Sequence, residues 1–218
     1  MNYQSVTSSP EFNGLPINNG NGQYSCFEMI LEKVHERLNW MTNKHCRVLF
    51  IRFDLRFPRD HKTHGNNDEI SHFFKIMKDN ARSAGCEFHF VWVREQKDSD
   101  TPHYHCVVLL NGSRVQNYRA FLGEVQRVWG MVLRCFDSTG LVWTCEQDYN
   151  GNQVENGILI ERPKQNVHGE FFLEQNNLYN ETLRACFYWS SYLAKTSQKD
   201  NTPFGIRRFN ASQLRHSL

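Results

Sequence analysis

Two histidines separated by one residue, in Pro102-His103-Tyr104-His105, stand at the head of a continuously apolar run from Cys106 to Leu110. On a strand, residues two apart share a face, so both imidazoles would project together and present two nitrogens to one divalent ion. A third ligand is expected from a neighbouring strand. Glu95 lies one short turn upstream, where a hairpin would return its carboxylate beside the imidazoles, with Gln96 and Asp54 as the alternatives. A half-exposed pair of histidines with no ion is the competing interpretation of the same motif.

A second group lies near the C-terminus. With residues laid out at about 100° each, Leu178, Thr182, Ala185, Cys186, Trp189, Leu193 and Thr196 form one stripe suited to a core. Arg184, Tyr188, Tyr192, Lys195 and Lys199 flank that stripe, so two phenols share a helix face with three cations. A phenol ordinarily ionises near pH of about 10, and its attack on a phosphate therefore needs cations or a metal to favour phenolate character and absorb charge. The same spacing also suits an i,i+4 aromatic pair bordering the core, and only in combination with the two histidines does the chemical interpretation prevail.

The elements that must position these groups follow from periodicity. Phe27, Ile30, Leu31, Val34, Leu38 and Met41 recur at helical spacing from about Tyr24 to Met41. From Arg47 to Phe57, Leu49, Ile51, Phe53, Leu55 and Phe57 point one way and Arg52, Asp54 and Arg56 the other, as in a strand with one apolar and one charged face. Asp68 opens a helix to about Ala84, closed by Gly85. Glu87 to Gln96 and His103 to Leu110 predict two strands joined by the polar turn Lys97-Asp98-Ser99-Asp100. A third helix to about Met131, strands at Leu141 to Cys145 and Gly157 to Glu161, an irregular connection over Lys164 to Asn177, and a helix from about Leu178 to Lys199 complete the order. A short basic tail with Arg207 and Arg208 follows. The class is α+β, with about five strands in a central antiparallel sheet and helices packed mainly on one face.

Composition sets the bounds. A chain of 218 residues, 39% hydrophobic and 22% charged, buries one real core, here expected over residues 23–218. The first 22 residues are rich in turn formers without periodicity and are expected to form a flexible arm. A basic leader with an apolar core is absent, as is any run of roughly 18 apolar residues, so neither secretion nor a membrane span is expected and the cytoplasm is. Seven cysteines without a CxxC pair argue for reduced thiols and against both a disulfide framework and a structural zinc site. A net charge of +2 means that any nucleic-acid site is local, with Arg52, Arg56, Arg94, Arg184 and Lys199 as candidate phosphate contacts. Phe88, Phe90, Trp92 and Tyr104 could stack on bases, although strand aromatics more often belong to a core.

The ordered segments Ile51-Arg-Phe-Asp-Leu-Arg-Phe57, Arg94-Glu95-Gln96, Pro102-His-Tyr-His-Cys-Val-Val-Leu-Leu-Asn-Gly112 and Tyr188-x-x-x-Tyr192-Leu-Ala-Lys195 resemble the motifs of the HUH rolling-circle replication initiators. They are most similar to the replication proteins of filamentous phages (inoviruses), also carried by prophages as YagK/YfjJ-like proteins, and span about Arg47 to Lys195. The resemblance implies an RRM/ferredoxin-like sheet, Mg²⁺ or Mn²⁺ held by His103, His105 and Glu95, and a tyrosine that forms a 5′-phosphotyrosine link to DNA. It makes Tyr192 the nucleophile and Lys195 the accompanying lysine. Tyr188 is either a second acting tyrosine, since some of these initiators use two separated by three residues, or structural. The implied activity is nicking and joining of single-stranded or hairpin origin DNA in a bacterial host. With no GxxxxGK[ST] loop in the sequence, a host helicase and DNA polymerase would be the partners. The rival functions are a non-catalytic single-stranded nucleic-acid-binding module and a transposase or relaxase of the same chemistry.

Overall fold

The computed structural model describes residues 5–214 except 60, 62, 64, 97–100, 148–151, 198, 200 and 201, so the turn expected at Lys97 to Asp100 lies outside the described residues. The elements in chain order are β1 (Val6–Thr7), β2 (Glu11–Phe12), β3 (Leu15–Pro16), β4 (Cys26–Phe27), α1 (Glu28–Lys44), β5 (Arg47–Leu55), α2 (Asp68–Ser83), β6 (Phe88–Glu95), β7 (His103–Asn111), α3 (Tyr118–Leu133), β8 (Val142–Trp143), β9 (Ile158–Glu161), α4 (Gly169–Ser191) and β10 (Phe209–Ala211). Strands β10, β6, β7, β5 and β8 form an antiparallel sheet in that order, and β9 joins as a sixth strand on β5.

Both faces of this sheet are covered. Leu49, Ile51, Phe53 and Leu55 of β5 join Phe88, Phe90, Trp92, Tyr104, Cys106 and Val108 in a core shared with α2 and α3. Val48 and Phe50, with Val91, Val93, Val107 and Leu109, pack instead against α1 and the C-terminal part of α4. Helices on both faces, rather than mainly on one, correct that part of the expectation. The apolar run Cys106 to Leu110 carried the signal, because a strand buried on both sides has no polar alternation to display. Phe88, Phe90, Trp92 and Tyr104 are thereby core residues, not base-stacking ones.

The N-terminal segment is not a free arm over its described part. Asn13 and Gly14 both take positive φ, at 50° and 75°, in the two-residue turn that joins β2 to β3. Asn-Gly is the commonest solution for such a hairpin, since both central residues must sit in the left-handed region. β1 pairs with β4, and Ile17 is buried in the core beneath α1 and α4. We expect Ile17→Ala to cost about 2–5 kcal/mol of unfolding free energy, as for other buried aliphatic truncations. A denaturant titration reads this, and a loss below about 0.5 kcal/mol would mean that the segment is not packed as described.

The end of the sheet opposite the histidines is tied to α1 through Glu87. Its carboxylate accepts from Trp40 Nε1 at 2.9 Å and lies 2.9 Å from both Lys44 Nζ and His45 Nε2 and 3.3 Å from His89 Nε2. Burial resists its ionisation, but these four donors overcome that and bring the carboxyl down to about 2. A carboxyl depressed on folding contributes stability above its unfolded value near 4.5, and that contribution is lost as pH falls toward 2. Glu87→Gln should therefore be destabilised relative to wild type at pH 6, with the gap closing in acid. Paired denaturation midpoints across that range check it, and a gap independent of pH would refute it.

Candidate metal centre and tyrosine

Register brings the polar residues together. On the α1/α4 face, β7 presents His103 and His105, β5 presents Arg52 and Asp54, and β6 presents Glu95. Asp54 lies directly opposite His105, and Glu95 opposite His103. Directly opposed residues of an antiparallel pair share a face, so one carboxylate from each flanking strand converges on the imidazoles.

Asp54 is the hub. Its Oδ1 is 2.7 Å from His105 Nδ1 and its Oδ2 is 3.4 Å from His103 Nε2. The two imidazole rings are 4.5 Å apart, and Asp54, His103 and His105 offer ligand atoms that all lie within 4.8 Å of one another. Burial opposes the Asp54 charge, but the His105 charge and hydrogen bonds from both histidines hold its carboxyl well below the usual range. The Nε2 atoms of His103 and His105 are buried and face carboxylates, Asp54 Oδ2 at 3.4 Å and Glu95 Oε2 at 2.9 Å respectively, without an aligned hydrogen bond among the described residues. Two imidazole nitrogens buried among ionised carboxylates are a donor set that suits a divalent cation. This group could hold a metal ion.

Glu95, expected as the third ligand, is outside that compact group. Its Oε2 sits 2.9 Å from His105 Nε2, while Oε1 faces Lys199 Nζ at 3.2 Å and Lys195 Nζ at 3.4 Å. Burial disfavours its charge, yet His105 and the two lysines bring the carboxyl to about 2. The acidic member of the group is Asp54, one of the two alternatives. Gln96 points to the opposite face, where it accepts from Arg94.

The tyrosine comes from the end of α4. That helix begins at Gly169, inside the stretch expected to be irregular, and ends at Ser191 rather than near Lys199. Its N-terminal apolar residues Phe171, Phe172, Leu173 and Leu178 are exposed, so no core periodicity marked its start. At its end the Ser190 hydroxyl donates to the Cys186 and Phe187 carbonyls and the Ser191 hydroxyl to Tyr188 O, a back-bonding that competes with regular helix. The chain then tightens into a 3₁₀ turn, Tyr192–Ala194. The N-terminal segment pins this turn: Asn18 N donates to Ser191 Oγ at 2.7 Å, Thr196 N donates to Ser25 O at 2.9 Å, and Cys26 bridges Lys195. These contacts join residues far apart in the chain, and no local pattern announces them.

The turn sets Tyr192 over the histidines. Its ring meets that of His105 edge to face at 5.9 Å, Lys195 Nζ donates a hydrogen bond to its hydroxyl, and the Arg52 guanidinium lies 4.9 Å from its centroid. His103, His105, Glu95, Tyr192, Lys195 and Arg52 are thus brought together. Tyr188, one turn earlier, is 43% exposed and makes none of these ring contacts.

Three expected phosphate contacts are placed elsewhere. Arg94 is fully buried on the α2/α3 face, bonded to Asn66 O, Asn67 Oδ1 and Gln96 Oε1. Lys199 is fully buried against Glu95 and the Lys195 carbonyl; burial lowers its basicity to about 8, with Glu95 opposing that. Arg184 donates to Gly14 O and so steadies the N-terminal hairpin. Arg56 remains exposed beside Trp143, a residue that the sequence patterns did not single out.

The chain is therefore an α+β protein whose antiparallel sheet carries a buried His-His-Asp group, able to hold a metal ion, beneath a tyrosine-bearing turn. Residues 7–212 match the YagK/YfjJ C-terminal domain, and the chain belongs to that family. No curated protein and no solved structure matches it. Among the described residues, no helix is long and apolar enough to cross a membrane.

Proposed function

We propose that this protein is a metal-dependent DNA nicking and joining endonuclease of the HUH type, which starts rolling-circle replication of a phage or prophage-like element. One observation carries this reading: the Tyr192 ring abuts His105, a member of the metal-capable group, with Lys195 on its hydroxyl. A structural tyrosine needs no cation on its oxygen and no imidazole pair beside it.

His103, His105 and Asp54 would hold the ion, and Mn²⁺ should bind more tightly than Mg²⁺ because imidazole nitrogens suit the softer of the two. When bound, the ion supplies Lewis-acid polarisation of a non-bridging phosphate oxygen. Lys195 orients the Tyr192 hydroxyl, while Arg52 braces its ring. The Tyr192 oxygen bonds to phosphorus as the bond to the 3′ oxygen breaks; the phenolic proton passes to water, and the departing oxygen is protonated to a 3′-OH. One phosphodiester is exchanged for another, so the linkage stays available for rejoining and no nucleotide hydrolysis is required. Single-stranded or hairpin origin DNA is the substrate on this reading, with unwinding and extension left to a host helicase and polymerase.

The test is incubation with labelled single-stranded DNA and Mn²⁺, followed by denaturing electrophoresis. A labelled band at the mass of protein plus DNA supports the proposal. Retention on native gels without that band would favour a passive single-strand binder.

A further inference from the structure

The edge of the sheet next to Asp54 carries an aromatic side chain that the proposed chemistry leaves unused. β8 pairs with β5 so that Trp143 lies directly opposite Asp54. Opposed residues share a face, with Cβ atoms about 4.5–5.5 Å apart. The indole therefore flanks the metal-capable group on its own side of the sheet, yet it is 46% exposed. The Arg56 guanidinium, on the same face two residues beyond Asp54, lies 6.0 Å from the Trp143 ring centroid. Arg56 is exposed, has no carboxylate partner among the described residues, and is close enough for its charge to act on His103.

The platform is held firmly from behind. Arg56 N donates to Leu141 O at 2.9 Å, and Trp129 Nε1 donates to Arg56 O at 2.7 Å. Asn156 stitches the segment after β8 to β5, accepting from Arg52 N and donating to the carbonyls of Arg52 and Thr144. Trp143 belongs to neither hydrophobic core, so its exposed ring is presented on a fixed backbone. Among the described residues, the other exposed large aromatics, Phe136, Phe171, Phe172, Tyr188 and Phe204, lie outside this sheet edge and have no cation against the ring. A rigid indole with a guanidinium beside it is the combination that stacks on a nucleobase while attracting the adjoining phosphate.

We propose that Trp143, supported by Arg56, is a base-stacking platform for single-stranded DNA, holding a nucleotide next to the phosphate gripped over His103, His105 and Asp54. Its place along the substrate rests on the endonuclease reading; its capacity to bind bases does not. Because every base has a π face, the platform tolerates any sequence and fixes register rather than choosing it.

The experiment measures fluorescence anisotropy of labelled oligo(dT), and of an abasic oligomer of equal length, on the intact protein. Wild type should bind oligo(dT) about tenfold or more tightly over the abasic strand, as expected for one stacked base. Trp143→Phe should keep most of that preference, Trp143→Ala should abolish it, and Arg56→Gln should weaken both oligomers alike. Trp143 lies at the surface, so an unchanged denaturation midpoint and unchanged Mn²⁺ affinity of Trp143→Ala exclude misfolding as the cause. Undiminished preference for oligo(dT) in Trp143→Ala, or tighter Trp143-dependent binding of oligo(U), would overturn the proposal. The covalent-adduct assay separates the two readings. Adduct formation by wild type, with base preference independent of Trp143, removes the platform and keeps the nuclease; Trp143-dependent base preference without any adduct does the reverse.

Discussion

Tyr192→Phe should eliminate the denaturation-resistant protein–DNA adduct, a fall of about 10³-fold or more, because the substitution deletes the one oxygen that attacks. Affinity for the same DNA should be unchanged, since the ring, its contact with His105 and the Arg52 guanidinium over it all persist. Tyr188→Phe should leave the first cleavage within about threefold of wild type, because Tyr188 is exposed and lacks the lysine and imidazole that surround Tyr192. Quantified adduct bands from the two variants decide the matter. An adduct that survives in Tyr192→Phe and disappears in Tyr188→Phe would transfer the nucleophile to the earlier tyrosine. Loss in both would indicate that the phenols alternate or that the turn has been disturbed. Lys195→Met tests the turn separately, since it removes the hydrogen bond on the hydroxyl while Cys26 continues to bridge the backbone of residue 195.

How much of this site could be read from the chain depends on whether geometry is local. His103 and His105 share a face for reasons internal to one strand, and Glu95 opposes His103 because a hairpin returns it there; both follow from the two-residue period. The choice of Asp54 as the acidic neighbour depends on β5 lying on the other side of β7, a matter of strand order that sequence spacing does not encode. Arg94 and Glu95 are adjacent, and the same alternation that brings Glu95 to the histidines sends Arg94 to the opposite core, so counting faces along β6 already argues against that phosphate contact. Lys199 fell on the tyrosine side of a regular helix, but the helix ends at Ser191 and the following chain carries Lys199 inward to Glu95. The N-terminal hairpin had a local signal in the Asn13-Gly14 pair, a common two-residue turn, but the expectation of a flexible arm passed over it. What it covers had no such signal, since Asn18 meets Ser191 and Ser25 meets Thr196 only through tertiary packing. Trp143 escaped notice for a related reason: β8 has only two residues, too short to show a period, and its importance comes from the strand it joins.

The two carboxylates of the centre should separate cleanly by experiment. His103→Ala and Asp54→Asn each remove a member of the compact group, and each should lower Mn²⁺ affinity on the order of 100-fold, measured by calorimetric titration. Glu95→Gln should act mainly on stability. Glu95 faces Lys195 and the fully buried Lys199, so neutralising it strands a cation in the interior, at a cost of about 3–5 kcal/mol. The same substitution should spare most of the Mn²⁺ affinity, because Asp54 still joins the two imidazoles. Denaturation and titration on the same three variants therefore give opposite rankings: Asp54→Asn is the worse metal binder and Glu95→Gln the less stable protein. If Glu95→Gln instead loses Mn²⁺ as severely as Asp54→Asn, Glu95 rotates away from its lysines when the ion enters, and the coordinating carboxylate is the one on β6.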